Sequence, residues 1–224
     1  MCIIGIVGRP GELKTTKLNI GVLENYRKAI IKSGGVPILI LPPQDIDYYN
    51  KSLEEIPSLT DEEKKILEKQ IDLCDGVLMP GGTVMHEYDK YVCDYCNRND
   101  IPLLGICMGM QVMCNYNNDN KNIKIENESH YEDALYKHDV NINKDSILYS
   151  ILEKDNIMVN SYHKYKVSNN GSYKISATKD DVIEAVEKDG KFNIGLQWHP
   201  EKNYDNDVNI KKIFKKFINV CKQK

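Results

Sequence analysis

A cysteine flanked by glycines is the residue of this sequence best placed to act as a nucleophile. Cys107 stands in the segment Gly105-Ile106-Cys107-Met108-Gly109, directly after a short apolar run and directly before a helical pattern. A residue on such a turn lies at the edge of a sheet, and the helix N-terminus behind it carries a partial positive charge that favours a thiolate. An isolated cysteine in an apolar segment is more often a small buried hydrophobic residue. A catalytic interpretation therefore depends on a base elsewhere in the chain.

A histidine and a glutamate near the C-terminus could supply that base. His199 and Glu201 follow directly after an apolar strand pattern over residues 192–198. We expect this strand to end at the same edge of the sheet as Cys107, because the carboxyl ends of parallel strands meet there. An imidazole, with an ordinary pKa of about 6.5, can hold a thiolate and later protonate a leaving amine. Glu201 could fix its tautomer, which predicts a Cys-His-Glu triad, although His199 alone would more often be a structural histidine.

The segment Pro80-Gly81-Gly82 ends another predicted strand at the same edge. By itself it is most simply an ordinary turn. Its place just before the strand and helix that present Cys107 allows a second interpretation. Backbone N–H groups without side chains around them can line an oxyanion hole.

Apolar periodicity predicts the elements that position these residues. Alternating strands and helices indicate right-handed crossovers and an α/β fold with a mostly parallel central sheet, followed by an antiparallel β portion near the C-terminus. A polar, Asn-rich insertion over residues 115–128 is predicted to be a mobile surface loop. The C-terminal helix more often closes one face of such a sheet than contacts a membrane or a partner. Strands are predicted over residues 2–8, 37–41, 76–79, 101–106, 137–142, 157–160, 174–178, 182–187 and 192–198, and helices over 22–33, 60–74, 83–99, 108–116, 146–153 and 207–222.

Length and composition narrow the class of protein. A chain of 224 residues is treated as one domain, residues 1–224, with a sizeable core. A net charge of −3 argues against nucleic acid and membrane partners, and no apolar run approaches the roughly 20 residues of a membrane span. Seven cysteines without framework spacing, and an N-terminus without a signal peptide, indicate the cytoplasm. Cys93-x-x-Cys96 falls in a helical pattern without a second pair, which argues against a metal site.

Two motifs in this order give the sequence a family resemblance. Gly105 to Gln111 together with Gln197 to Glu201 resembles the class I glutamine amidotransferase superfamily, which has a three-layer, flavodoxin-like fold. Within it, the chain is most similar to the stand-alone γ-glutamyl hydrolases of the γ-glutamyl-γ-aminobutyrate hydrolase type. Further matches lie in residues 4–6, 26–41, 76–82, 138–140, 159–163 and 182–186.

The resemblance implies a reaction and a role for particular residues. It implies hydrolysis of a γ-glutamyl amide through a γ-glutamyl thioester, which releases glutamate and an amine. In that reaction Cys107 is the nucleophile, His199 the general base and acid, and Glu201 the orienting partner. Oxyanion donors would be the N–H groups of Gly82 and Met108. The implied γ-glutamyl contacts are Gln111, Ser161, Tyr162 and His163.

Two other functions stay open at this stage. The chain could be a glutaminase subunit that delivers ammonia to a separate synthase, or a non-catalytic α/β binding or redox-sensing module. The sequence predicts a small γ-glutamyl substrate as the partner, with a synthase or a second copy of the chain as further possibilities. It predicts neither a cofactor nor a metal.

Overall fold

A large central sheet, with helices on both faces, positions every residue singled out above. The computed structural model describes residues 1–10, 19–48, 55–117, 122–125, 131–132, 134, 136–190 and 192–223. The strands are β1 (Cys2–Val7), β2 (Arg9–Pro10), β3 (Ile20–Gly21), β4 (Gly35–Ile40), β5 (Gly76–Met79), β6 (Leu103–Ile106), β7 (Asn122–Lys124), β8 (Tyr131–Glu132), β9 (His138–Ile142), β10 (Asn156–Val159), β11 (Ser161–Tyr162), β12 (Tyr165–Val167), β13 (Lys174–Lys179), β14 (Val182–Glu187) and β15 (Asn193–Leu196). The helices are α1 (Glu24–Lys32), α2 (Asp61–Asp72), α3 (Glu87–Arg98), α4 (Met108–Asn115), α5 (Ile147–Leu152) and α6 (Val208–Cys221), and a 3-10 helix covers Pro200–Asn203.

The sheet has a parallel half and an antiparallel half. Among the described residues, nine strands follow the order β10-β9-β13-β14-β15-β6-β5-β1-β4. The strands from β15 to β4 pair in parallel, and those from β15 to β10 pair antiparallel. This confirms the predicted α/β architecture with an antiparallel portion built from the C-terminal part of the chain.

The register brings three predicted site segments to one edge. Leu196 of β15 pairs with Ile106 of β6, so the chain leaves both strands side by side. Met79 of β5 pairs with Gly105 of β6, which places Pro80 at the same edge. Cys107, His199 and the Pro80-Gly81-Gly82 turn therefore follow three adjacent strands.

Two apolar clusters fill the space between the sheet and its helices. One contains Phe214 and Phe217 of α6 with Leu148 of α5, and the other contains Leu67 of α2 with Val92 of α3. The apolar side of α6 is buried against the sheet, as predicted for a closing helix. In the part of the chain that the structure describes, no helix is long and apolar enough to cross a membrane.

Side-chain caps explain several helix starts. Thr60, the first residue of a predicted helix, is the N-cap of α2. Its side chain accepts from the N–H of Glu63, whose carboxylate accepts from the Thr60 N–H in a reciprocal capping box. Helix α3 begins at Glu87 rather than at residue 83, because Asp89 accepts from the N–H of His86 and fixes the chain entry there.

The predicted loop over residues 115–128 was wrong in part. Residues 122–124 form β7, which pairs antiparallel with β12. Two of its three side chains are exposed, so backbone pairing forms this strand without an apolar pattern that the sequence could reveal. Residues 118–121 and 126–128 of that prediction lie outside the described residues.

Candidate active site

Cys107 occupies a sharp turn between β6 and α4. Its backbone has φ 53° and ψ −108°, a conformation that costs a non-glycine residue of the order of 1 to 3 kcal/mol. Its N–H donates to the carbonyl of Leu196 at 2.7 Å, which ties the turn to β15. Gly109 lets α4 approach β5 closely, since a Cβ there would lie 2.1 Å from the carbonyl oxygen of Met79. The glycines around Cys107 thus serve the close packing that their spacing predicts.

Hydrogen bonds to its backbone and to its ring hold His199 in place. Its N–H donates to Oδ1 of Asn160 at 2.8 Å, and its carbonyl accepts from the Asn160 amide at 2.7 Å. Ring atom Nδ1 lies 2.7 Å from Oε1 of Glu201, whose side chain is only 1% exposed. The imidazole also lies close enough to Cys107 for the charge and hydrogen bonding of that side chain to act on its pKa. The structure therefore brings the three predicted triad residues together.

The charges around His199 decide its protonation. Burial by itself lowers the pKa of His199, but the charges of Glu201 and Cys107, together with their hydrogen bonds, raise it to about 10. His199 is therefore an imidazolium at neutral pH.

Tyr26 is a further site residue, and the sequence predicts only that it lies in a helix over residues 22–33. Its hydroxyl oxygen accepts from the N–H of Gly81 at 3.0 Å and lies 3.3 Å from Nδ1 of His199. Burial first, and then the charge of Glu201, hold the pKa of Tyr26 well above its ordinary value. The group is thus a neutral phenol that links the glycine turn to the His199–Glu201 pair. The signal in the sequence is weak: a tyrosine on an apolar face needs a partner for its hydroxyl.

The glycine turn lies directly over the reacting groups. A Cβ on Gly81 would lie 2.8 Å from Cε1 of His199 and 3.5 Å from Cβ of Cys107, and one on Gly82 would lie 2.8 Å from Cε of Met108. The N–H of Gly81 donates to Tyr26, whereas Gly82 lies against the side chain of Met108, the residue after Cys107.

A buried ion pair supports the Pro80-Gly81-Gly82 turn. Arg9 donates to the carbonyl of Pro80 at 3.0 Å and pairs with the carboxylate of Asp89, which has no exposed surface. The sequence offered no pattern that connects these two residues, because they lie far apart along the chain.

The side chains predicted to contact the γ-glutamyl group lie in different environments. The amide nitrogen of Gln111 donates to the carbonyl of Tyr165 and to Oε1 of Gln197, both at 3.2 Å, and its oxygen accepts from Asn122 at 2.9 Å. A substrate contact from Gln111 would have to replace one of these bonds. Ser161 is fully buried in β11.

Tyr162 and His163 extend from the same segment in different environments. The ring of Tyr162 packs edge-on against that of His199, with 5.6 Å between centroids. His163 lies instead beside Glu184, with Nε2 at 3.7 Å from Oε1. Among the predicted contacts with described geometry, Tyr162 is the one that this structure places against the triad.

The Cys93-x-x-Cys96 pair is buried within α3. Cys93 hydrogen bonds with the hydroxyl of Tyr173 at 3.8 Å, and burial raises the pKa of its thiol. Such a thiol is poorly suited to redox chemistry.

Comparison with known proteins places this geometry in a family. The family model described as Peptidase C26 matches residues 83–201, more than half of the chain. The chain belongs to the Peptidase C26 family. This is a family of glutamine amidotransferase-like hydrolases, which confirms the resemblance read from the two motifs.

Curated relatives of this Peptidase C26 member include hydrolases and part of a synthase. A gamma-glutamyl-CDP-amidate hydrolase of Campylobacter jejuni is 26% identical over 92% of the chain and 78% of the relative. Gamma-glutamyl hydrolase 1 of Arabidopsis thaliana is 22% identical over 90% of the chain and 63% of the relative. One subunit of the glutamine-hydrolyzing GMP synthase of Picrophilus torridus is 31% identical over 66% of the chain and 78% of the relative.

Solved structures support the fold independently. A GMP synthase subunit from Thermoplasma acidophilum superposes with a TM-score of 0.69 at 16% identity, over 100% of this chain and 96% of that one. The glutaminase domain of Trypanosoma brucei CTPS, solved with bound acivicin, gives a TM-score of 0.66 at 19% identity, over 100% and 95%.

Proposed function

We propose that this protein is a self-sufficient hydrolase that cleaves a γ-glutamyl amide bond through a thioester on Cys107. The observation that carries the proposal is the buried array in which Oε1 of Glu201 lies 2.7 Å from Nδ1 of His199, while Cys107 lies close enough to raise the pKa of the same imidazole and borders the same point at Gly81. The γ-glutamyl hydrolases among the relatives supply the substrate class.

In the first half-reaction the sulfur of Cys107 attacks the amide carbonyl carbon, and the carbonyl π electrons move to oxygen. The N–H groups of Gly82 and Met108 stabilise this oxyanion, and each such donor contributes roughly 10² to 10³ in rate. Collapse of the intermediate breaks the C–N bond while His199, already protonated, gives its proton to the leaving nitrogen. The products are a free amine and a γ-glutamyl thioester.

Formation of the thioester changes the state of His199. The anionic sulfur is consumed and His199 has lost its proton, so the charge of Cys107 no longer helps to raise its pKa. The neutral imidazole then takes a proton from water as the water oxygen attacks the thioester carbonyl carbon. Breakage of the C–S bond releases glutamate and returns the thiolate and imidazolium. Throughout, Glu201 keeps the ring oriented and stabilises its cationic form.

Glutamate release from a panel of γ-glutamyl compounds tests this function. The panel contains glutamine, γ-glutamyl-γ-aminobutyrate and other γ-glutamyl amines and peptides. We expect turnover of at least one γ-glutamyl amine well above glutamine, and none with Cys107→Ser, because a hydroxyl is a poor nucleophile in a site arranged for a thiolate. Cys114→Ser is the matched control, since Cys114 lies buried within α4 and should leave turnover intact. Retained turnover in Cys107→Ser would refute the assignment.

The similarity to the GMP synthase subunit of Picrophilus torridus supports one second candidate, a glutaminase that needs a synthase partner. The two candidates differ in a single outcome. If every compound in the panel is silent although Cys107 is alkylated rapidly, the partner-dependent function is correct and the self-sufficient hydrolase is not. Slow alkylation of Cys107 together with silence would favour a non-catalytic module instead.

A further inference from the structure

Three buried side chains that the proposed hydrolysis does not use converge on one point. His138 extends from β9, His163 follows β11 and Glu184 extends from β14. Their side chains are 9%, 2% and 0% exposed, respectively. The three potential ligand atoms lie within 4.8 Å of one another. We propose that His138, His163 and Glu184 bind a divalent transition-metal ion, with Zn²⁺ as the best match.

The hydrogen bonds of the two imidazoles select the atoms that would bind the ion. Nδ1 of His138 lies 3.1 Å from the carbonyl oxygen of Asp139, and Nδ1 of His163 lies 3.1 Å from that of Tyr165. A carbonyl oxygen can only accept, so Nδ1 carries the proton in both rings. In a neutral imidazole this leaves the lone pair on Nε2. Backbone carbonyls orient metal-binding histidines in the same way.

The distances between the ligand atoms fit a shared ion better than a direct hydrogen bond. Nε2 of His138 and Nε2 of His163 lie 3.6 and 3.7 Å from Oε1 of Glu184. Both separations exceed the range of about 2.7 to 3.2 Å for a hydrogen bond to oxygen. Tetrahedral bonds of about 2.0 to 2.1 Å to zinc place ligand atoms about 3.3 to 3.4 Å apart. A contraction of a few tenths of an ångström brings each of these two pairs to that separation, and all three ligand atoms lie within 4.8 Å of one another.

Charge favours a cation at this point. The carboxylate of Glu184 has no exposed surface, and the attraction between a carboxylate and a divalent ion is strong where water is excluded. Two imidazoles and one carboxylate form a donor set typical of zinc and leave a fourth position for water or another group.

Such an ion would join three segments near the candidate active site. It would hold the segment containing Ser161, Tyr162 and His163 to the antiparallel half of the sheet. Tyr162, the neighbour of His163, packs against the ring of His199. The ion would therefore have a structural role beside the triad, and its presence does not depend on the proposed hydrolysis.

Metal binding is measured directly rather than through activity. Protein stripped with a chelator is titrated with Zn²⁺ against a chromophoric competitor, in a Cys107→Ser background that removes the thiol of the candidate active site. We expect one equivalent to bind and to raise the melting temperature. His138→Gln and Glu184→Gln should each weaken binding by at least about 100-fold, since loss of a ligand exceeds the 10- to 100-fold cost of losing an outer partner. The matched control is His86→Gln. His86 is a buried histidine at the N-cap of α3, and its replacement should leave Zn²⁺ binding as it is in the parent.

The electronic spectrum of the Co²⁺-loaded parent provides a test that needs no folded ligand variant. We expect tetrahedral d–d bands without a thiolate-to-cobalt charge-transfer band. Absence of Zn²⁺ binding by the parent, equal binding by Glu184→Gln, or a thiolate band would each overturn the proposal. Circular dichroism identifies any variant that has failed to fold, and for such a variant the spectrum of the parent decides.

Discussion

Replacement of Glu201 by glutamine tests whether a buried carboxylate controls the reactivity of Cys107. Glutamine has nearly the same shape, and its amide oxygen can still accept from Nδ1 of His199. The substitution removes the negative charge that lies 2.7 Å from that ring and helps to raise its pKa. Any change in the chemistry of Cys107 then reports on charge rather than on packing.

The size of the effect follows from the burial of this pair. A hydrogen bond to a charged group contributes about 1.5 to 3 kcal/mol and a neutral one about 0.5 to 1.5 kcal/mol, so the substitution costs about 1 to 2 kcal/mol. The pKa of His199 should fall by about 1 as a result. The ratio of the thiolate–imidazolium pair to the neutral thiol–imidazole pair should fall by a factor of about 5 to 30, and the alkylation rate of Cys107 near neutral pH should fall by up to that factor.

The assay is the rate of iodoacetamide alkylation at a series of pH values, followed by mass spectrometry of the peptide that contains Cys107. Other cysteines provide an internal baseline, because burial raises the pKa of Cys2 and raises that of Cys114 to about 12. Turnover of the best substrate should fall with the alkylation rate without vanishing, because Glu201 orients the base but makes no bond to the substrate.

Glu187→Gln is the matched control for Glu201→Gln. Glu187 is also fully buried, but its carboxylate accepts the N–H groups of Ile147 and Leu148 at the start of α5. It should lower stability without changing the alkylation of Cys107. An unchanged alkylation rate in a folded Glu201→Gln variant would refute the reasoning, and so would an equal decrease in the control.

Three further predictions concern packing, positioning and pH. Gly109→Ala should lower the free energy of unfolding in urea by about 1 to 3 kcal/mol or prevent folding, because its Cβ would meet a backbone carbonyl of β5 at 2.1 Å. Gly21→Ala is the control, because its Cβ would have nothing within 4 Å, and it should change the free energy of unfolding by less than about 0.5 kcal/mol. Similar effects of the two substitutions would contradict the close approach of α4 to β5. Tyr26→Phe deprives the Gly81 N–H of its acceptor and should lower kcat more than it raises KM in a steady-state assay; the reverse pattern would assign Tyr26 to substrate binding. Because folding raises the pKa of His199, its contribution to stability is complete below its ordinary pKa of about 6.5 and is lost as pH rises toward about 10. Urea denaturation across that interval should show this loss in the wild type and a flatter profile in the variant without the carboxylate partner, and parallel profiles would argue against the coupling.

The sequence predicted the parallel half of the fold well because each of its elements has a local cause. The apolar run of β5 was predicted at its observed bounds, and the helix predicted from residue 60 has Thr60 as its N-cap. Element ends that depend on distant contacts were predicted less well. Strand β15 ends at Leu196 rather than at residue 198, although the N–H of Gln197 still donates to the carbonyl of Glu184 on β14.

The residues of the candidate site also differ in whether the local sequence gives a signal for them. Cys107, His199 and Glu201 each carry a local signal, a glycine-flanked turn or a polar residue at the end of an apolar strand. Tyr26 and Asn160 carry none, because their site contacts come from residues far along the chain. Hydrogen bonds of this kind depend on how α1 and the segment after β10 pack on the sheet. A short sequence pattern does not predict that packing.

What the sequence by itself determined is the chemistry available to this protein: a thiol at a strand-to-helix turn, an imidazole with a carboxylate two residues away, and a family of hydrolases in which such groups recur. Tertiary structure alone decided which groups meet. The register of β15 against β6 brings His199 to Cys107, and the pairing of β14 with β13 and β15 carries Glu184 toward His138 and His163. The physical reason is that covalent neighbours set local conformation, whereas electrostatic coupling acts between groups a few ångströms apart in space, and only the folded sheet sets those distances.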